Sequence, residues 1–261
     1  MTKLAANLSM LYQQSPFLER FSLASKDGFR AVEFLFPYEF KKEDIGRDLK
    51  ENELQIVLHN LPAGDWAAGE RGIACLPNRA DEFRAGVKTA IEYATYLGVS
   101  QLNCLAGIKP ENLSDAVAEK TLIENLKFAA GMLKAAGIKL LLEPINNFDI
   151  PGFFVNSTKK GLEIILKVES ENIFLQYDIY HAQRMEGEIA LTIHKNLSKI
   201  AHIQIADNPG RNEPGTGEIN YKFLFEYLNK LGYQGWIGCE YKPQQDSSVG
   251  LKWIKEHGIQ I

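Results

Sequence analysis

Ala135-Ala136-Gly137-Ile138-Lys139-Leu140-Leu141-Leu142-Glu143-Pro144 contains the join between one helix and one strand. Upstream of it Leu122, Leu126, Ala129 and Leu133 recur at helical spacing, so one stripe of that helix is apolar. Gly137 then stops the helix, because glycine enters the left-handed C-cap conformation without a Cβ penalty. The apolar run Lys139–Glu143 that follows reads as a buried strand ending on a carboxylate. The same pattern repeats in both directions. Candidate strands are Lys3–Asn7, Ala31–Phe34, Leu54–His59, Gln101–Cys104, Lys139–Glu143, Ile173–Asp178, Ile200–Gln204 and Trp236–Glu240. Between them lie amphipathic helical stretches, such as Phe83, Val87, Ala90, Ile91, Ala94 and Leu97, or Leu224, Leu228 and Leu231. Further glycine stops fall at Lys26-Asp27-Gly28, Tyr96-Leu97-Gly98 and Lys230-Leu231-Gly232.

Eight strand–helix units in 261 residues match a single (β/α)₈ barrel, a TIM barrel of the α/β class, spanning 1–261. An open doubly wound sheet is the rival. It usually carries a glycine-rich phosphate turn after its first strand, whereas Leu8-Ser9-Met10-Leu11 has no glycine. The long connections Asn60–Asn78, Pro144–Ser157 and Ala206–Asn220 all follow strand ends, where a barrel places its functional loops.

Composition narrows the function classes. Twenty-nine Lys+Arg against 33 Asp+Glu give a net charge of −4, which argues against a nucleic-acid binder. No apolar run reaches the roughly 20 residues of a membrane span. The opening Met1-Thr2-Lys3-Leu4-Ala5-Ala6-Asn7 is too short an apolar stretch for a signal peptide. Cys75, Cys104 and Cys239 include no CxxC pair. The expected setting is cytoplasmic and reduced. Homo-oligomerisation stays open, since no stretch fixes a partner surface.

In a barrel the catalytic groups stand at the C-terminal strand ends. These ends carry His59 on the third strand, Glu143 on the fifth, Asp178 on the sixth, Gln204 on the seventh and Glu240 on the eighth. The last four are separated by 35, 26 and 36 residues, about one βα unit each, so barrel closure would gather them at one mouth. Three carboxylates without a cation would repel until one took up a proton. A divalent cation resolves that conflict, and all-oxygen ligation favours Mg²⁺ or Mn²⁺. Taken singly, each acid could instead cap the next helix or pair with a nearby Lys or Arg.

Glu143-Pro144-Ile145-Asn146, Tyr177-Asp178-Ile179-Tyr180-His181, His202-Ile203-Gln204-Ile205-Ala206-Asp207 and Gly238-Cys239-Glu240-Tyr241-Lys242-Pro243 resemble the strand ends of hydroxypyruvate isomerases, within the xylose-isomerase-like group of TIM barrels. The resemblance extends through Ala6–Leu11, Val32–Tyr38, Leu58–Gly72 and Glu213–Tyr221. It implies that Glu143, Asp178, Gln204 and Glu240 bind the metal and that Glu143 and Glu240 form the proton donor–acceptor pair. Related epimerases usually have histidine where Gln204 stands, so an amide ligand here again points to Mg²⁺. The implied reaction interconverts 3-hydroxypyruvate and 2-hydroxy-3-oxopropanoate by glutamate-mediated proton transfer through a metal-stabilised enediolate.

Other residues are assigned on narrower grounds. His181 stands three residues after Asp178, where related enzymes place a substrate-contacting histidine, or else it is a helix-start histidine bonded to backbone. His59 either contacts a substrate oxygen or is a satisfied buried histidine. His202 shares the strand parity of Gln204 one layer deeper and reads as core, while His194 and His257 read as surface. The substrate carboxylate needs a cation. Arg71, Lys242 and Arg211 lie in mouth loops, and Arg71 and Lys242 are favoured because they fall within matched motifs. Trp66 either belongs to a water-excluding lid or packs under its long loop. The rival functions are a 2-oxo-tetronate isomerase or another small sugar-acid isomerase or epimerase, a metal-dependent apurinic endonuclease, and a non-catalytic sugar-acid-binding protein. Five histidines and the acidic balance fit the endonuclease poorly.

Overall fold

The computed structural model describes residues 2–259 and 261. Eight parallel strands form a closed barrel in sequence order: β1 (Lys3–Asn7), β2 (Ala31–Glu33), β3 (Gln55–Asn60), β4 (Gln101–Cys104), β5 (Lys139–Leu142), β6 (Ile173–Asp178), β7 (Ile200–Ile205) and β8 (Trp236–Cys239). The strands stand where the sequence places them, with some ends moved by one residue. Glu143 and Glu240 thus lie one step past β5 and β8, at the rim.

The outer layer is helical: α1 (Arg20–Lys26), α2 (Lys42–Glu51), α3 (Ala80–Leu97), α4 (Asp115–Ala135), α5 (Thr158–Val168), α6 (Ile179–Met185), α7 (Ile189–Asn196), α8 (Tyr221–Lys230), α9 (Ser247–Gly250) and α10 (Lys252–Glu256). Their apolar stripes face the barrel. On α3 the buried positions are Phe83, Val87, Ala90 and Ala94. Each large apolar side chain buried this way contributes about 1.5–3 kcal/mol. The α3 helix ends at Gly98, whose φ of 74° is the left-handed cap expected there.

Inside the barrel the layers differ in character. The floor is apolar and includes Ala5, Ala31 and Leu141, with Phe174 and Trp236 packed against them. Two residues further along these strands, the inward positions turn polar at Asn7, Glu33, Glu143 and Gln176, with Gly238 alone lacking a side chain. Glu33 and His202 are wholly buried there. Gly238 is what admits Glu33, because a Cβ at that position would overlap its carboxylate. The interior therefore grades from hydrocarbon to carboxylate toward the mouth, and the strand-end loops form the rim.

Candidate active site

Glu143, Asp178, His181 and Glu240 each direct one atom to a common point at the mouth, all within 4.8 Å of one another and all four residues buried. Asp178 serves two purposes. Its Oδ1 caps α6 by accepting from the backbone N–H of Tyr180 at 2.7 Å and of His181 at 3.4 Å. Its Oδ2 is buried without a hydrogen-bond partner among the described residues and stands 3.6 Å from His181 Nε2. Capping and convergence are thus compatible, because a carboxylate has two oxygens.

A chain of bonds fixes the tautomer of His181. Asn146 Oδ1 accepts from Phe148 N at 3.0 Å and Asp149 N at 2.8 Å, so its amide nitrogen faces the imidazole. That nitrogen lies 2.6 Å from His181 Nδ1 and donates to it, which leaves the ring proton on Nε2. Nε2–H then points to the carboxylates, 3.9 Å from Glu143 Oε1. Burial, with Arg211 and Arg184 nearby, holds the His181 pKa well below its usual value and keeps the ring neutral. A neutral ring protonated at Nε2 is a hydrogen-bond donor here and offers no lone pair to a metal.

One guanidinium enters the acidic cluster. Arg211, from the loop after β7, donates through Nη2 to Glu240 Oε2 at 2.7 Å and lies 4.0 Å from Asp178 Oδ2. Its charge does not balance three carboxylates. Burial pushes Glu240 up to about 8, against the pull of Arg211. Glu143 is raised well above the carboxylate range by burial first and then by Glu240 and Asp178, and Asp178 is raised by burial as well. The group needs protons or a further cation, and its oxygen-rich donors with the orphaned Asp178 Oδ2 suit a metal ion.

The other sequence-predicted residues divide. Gln204 lies one layer below the rim and is 1% exposed; its Oε1 accepts from Gln176 at 2.6 Å and its Nε2 donates to Glu33 at 2.8 Å. His59 is fully buried, with Nδ1 3.1 Å from the Asn60 carbonyl and its ring stacked on Phe34; burial lowers its pKa to about 4. Its Nε2 has no partner among the described residues. Because Asn60, the next residue, bonds Asn103 and lines the mouth, His59 turns to the outer face of β3, away from the substrate oxygen expected for it. Arg71 and Lys242 both line the mouth cavity of about 620 Å³, together with Trp66, Glu143, Arg211 and Glu240. Arg71 is used largely by its own loop, donating to the carbonyls of Trp66 at 3.0 Å and Glu70 at 2.7 Å and stacking on the indole at 4.1 Å. His202 is core, bonded to Glu33 at 2.6 Å.

Sequence reasoning ranked Arg211 below Arg71 and Lys242, yet Arg211 is the cation that touches the carboxylates. Its position comes from a loop fold that no local pattern announces. Asp207, fully buried, accepts from Asn208 N at 2.9 Å, Ile219 N at 3.0 Å and Gly215 N at 2.8 Å. The Arg211 carbonyl in turn accepts from Lys242 N at 2.7 Å, tying this loop to the one after β8. Asn7, Glu33 and Asn103 were missed as well. Only their inward parity on strands marked them, and parity alone does not separate a site residue from core.

Residues 21–257 match the xylose isomerase-like TIM barrel model, and the chain belongs to that family. Among curated relatives it is 54% identical to the hydroxypyruvate isomerase of Escherichia coli (strain K12), over 97% of this chain and 98% of that one. It is 46% identical to the 2-oxo-tetronate isomerase of Cupriavidus necator, over 98% and 99%. Among solved structures, one from Brucella melitensis described as an AP endonuclease of family 2 superposes with a TM-score of 0.96 at 44% identity, covering 98% and 99%. Among the described residues no helix is long and apolar enough to cross a membrane.

Proposed function

We propose that this chain interconverts 3-hydroxypyruvate and 2-hydroxy-3-oxopropanoate, with Glu143 and Glu240 as the acid–base pair. The observation that carries the reading is the buried convergence of Glu143, Asp178 and Glu240 around the Nε2–H of a neutral His181. The 54% identity to a hydroxypyruvate isomerase supports the choice of substrate over the four-carbon acid of the 46% relative.

Glu143, Asp178, Glu240 and Gln204 would hold a divalent cation, Mg²⁺ or Mn²⁺, since their donors are hard oxygens. Gln204 Oε1 has two lone pairs, so its bond from Gln176 leaves one free. When bound, the ion supplies positive charge beside the substrate oxygens that become anionic during the reaction.

The chain's own groups do the proton work. One glutamate takes a proton from C3; the C–H bond breaks and its electron pair enters the enediolate. A glutamate then returns a proton to C2. The hydroxyl proton passes from the C3 oxygen to the C2 oxygen, so C3 is oxidised, C2 is reduced and no co-reactant is needed. Such positioned acid–base groups contribute roughly 10²–10⁴-fold. His181 Nε2–H donates to a substrate oxygen. Arg211, Arg71 and Lys242 supply cations for the substrate carboxylate. A phosphate backbone would meet an acidic mouth, which disfavours the endonuclease reading.

The test is to incubate the protein with Mg²⁺ and hydroxypyruvate in D₂O and follow the aldehyde and the carbon-bound deuterium by NMR. Glu143→Gln and Glu240→Gln are expected to abolish deuterium incorporation. Wild-type exchange in either variant removes that residue from the chemistry, and preferential turnover of a four-carbon oxo-acid reassigns the substrate.

A further inference from the structure

Two asparagines on opposite sides of the barrel each donate to one oxygen of a rim glutamate. Asn103 on β4 donates from Nδ2 to Glu143 Oε2 at 2.8 Å and to Asn60 Oδ1 at 3.2 Å. Asn7 on β1 donates from Nδ2 to Glu33 Oε1 at 2.9 Å and to Glu240 Oε1 at 3.4 Å. In each case one hydrogen goes to a fixed buried anchor and the other to one oxygen of a rim glutamate. The strand pairs involved, β4–β5 and β8–β1, face each other across the closed barrel.

Both amides turn their nitrogens to the carboxylates. Asn7 Oδ1 accepts from Ser9 N at 3.0 Å, which directs its nitrogen to the carboxylates. Flipping Asn103 would set its carbonyl against an ionised Glu143 and against the Asn60 carbonyl as it stands. Asn103 Oδ1 is buried with no partner among the described residues. An unsatisfied buried carbonyl is normally unfavourable, so the side chain stands there for its donor.

We infer that Asn103 is a positioning residue that holds Glu143 Oε2 and so singles out Glu143 Oε1 as the atom that exchanges a proton with a substrate carbon, whereas at Glu240 both oxygens are held, Oε1 by Asn7 and Oε2 by Arg211. The selected oxygen faces the site's centre, 3.9 Å from His181 Nε2. The held Oε2 cannot rotate into its place without breaking the hydrogen bond from Asn103. This inference rests on the reading of Glu143 and Glu240 as the acid–base pair.

Asn103→Leu tests it, since leucine matches asparagine in size and removes the orphaned carbonyl together with the donor. At saturating Mg²⁺ the expected result is a kcat lower by roughly 10–100-fold, the usual cost of a misplaced reacting group. KM should stay within about twofold, deuterium incorporation should fall in parallel with kcat, and the melting temperature should hold. Asn103→Ala removes the donor without leucine's bulk, and the same kinetic split is expected there. A kcat near wild type in both variants, a loss carried by KM, or a collapse of melting temperature in both overturns the inference. The underlying reading fails separately, if Glu143→Gln or Glu240→Gln still exchanges deuterium.

Discussion

His59 shows how burial, rather than a partner charge, sets a residue's behaviour. Packing against Phe34 and Tyr38 strips its ring of water, and that desolvation lowers its pKa to about 4. Above pH 6.5 the ring is neutral in both folded and unfolded chains, and its contribution to stability is complete. As pH falls from 6.5 to about 4 the unfolded chain takes up a proton that the native state refuses, so stability drops by up to about 3 kcal/mol. Glu143 and Glu240 act with opposite sign, because their raised values favour the native state at low pH and lose that contribution as pH rises. Comparing the pH dependence of urea midpoints in wild type and His59→Gln isolates the histidine. The variant should show a flatter acid limb, and an unchanged limb would mean that His59 is solvated. Leu58-His59-Asn60 alone does not tell which of the last two side chains faces inward; the closed barrel turns Asn60 to the mouth and His59 to the outer face.

At the scale of elements, strands and helices were legible and loop conformations were not. Strand positions followed from short apolar runs and helices from their stripes, because period and burial are local properties of sequence. The loop 206–220 follows another logic. Its shape is held by one buried carboxylate, Asp207, that gathers three backbone N–H groups from residues up to 12 positions away. Asp207→Asn replaces an acceptor oxygen with a donor facing those N–H groups. The expected cost is about 2–3 kcal/mol in urea unfolding, with a parallel loss of kcat/KM as Arg211 leaves the carboxylates. Full activity in that variant would show that Arg211 is placed independently of its loop. Gly72 and Gly107 mark a second such contact. A Cβ on Gly72, at φ 111°, would lie 2.5 Å from the Leu105 carbonyl, so the loops after β3 and β4 meet backbone to backbone.

For the whole molecule, the acidic mouth is a local instability built into a well-packed barrel. Repulsion among Glu143, Asp178 and Glu240 opposes closure, and a cation binding the native state relieves it. Mg²⁺ at about 100 times its Kd should therefore add about 2.7 kcal/mol, or roughly 5–10 °C in melting temperature. Chelation should reverse the shift, and Asp178→Asn should blunt it by removing the ligand oxygen that has no other partner. An equal shift in wild type and variant would place the cation elsewhere.

The sequence by itself determined the (β/α)₈ architecture and the rim positions of Glu143, Asp178 and Glu240, because strand period, glycine stops and strand ends are all written locally. Tertiary structure decided which partner each carboxylate oxygen meets, which tautomer His181 adopts, and that Arg211 rather than Arg71 enters the cluster. Those outcomes depend on hydrogen bonds between strands far apart in sequence, such as Asn7 to Glu240 and Asn103 to Glu143, and they exist only once the barrel has closed.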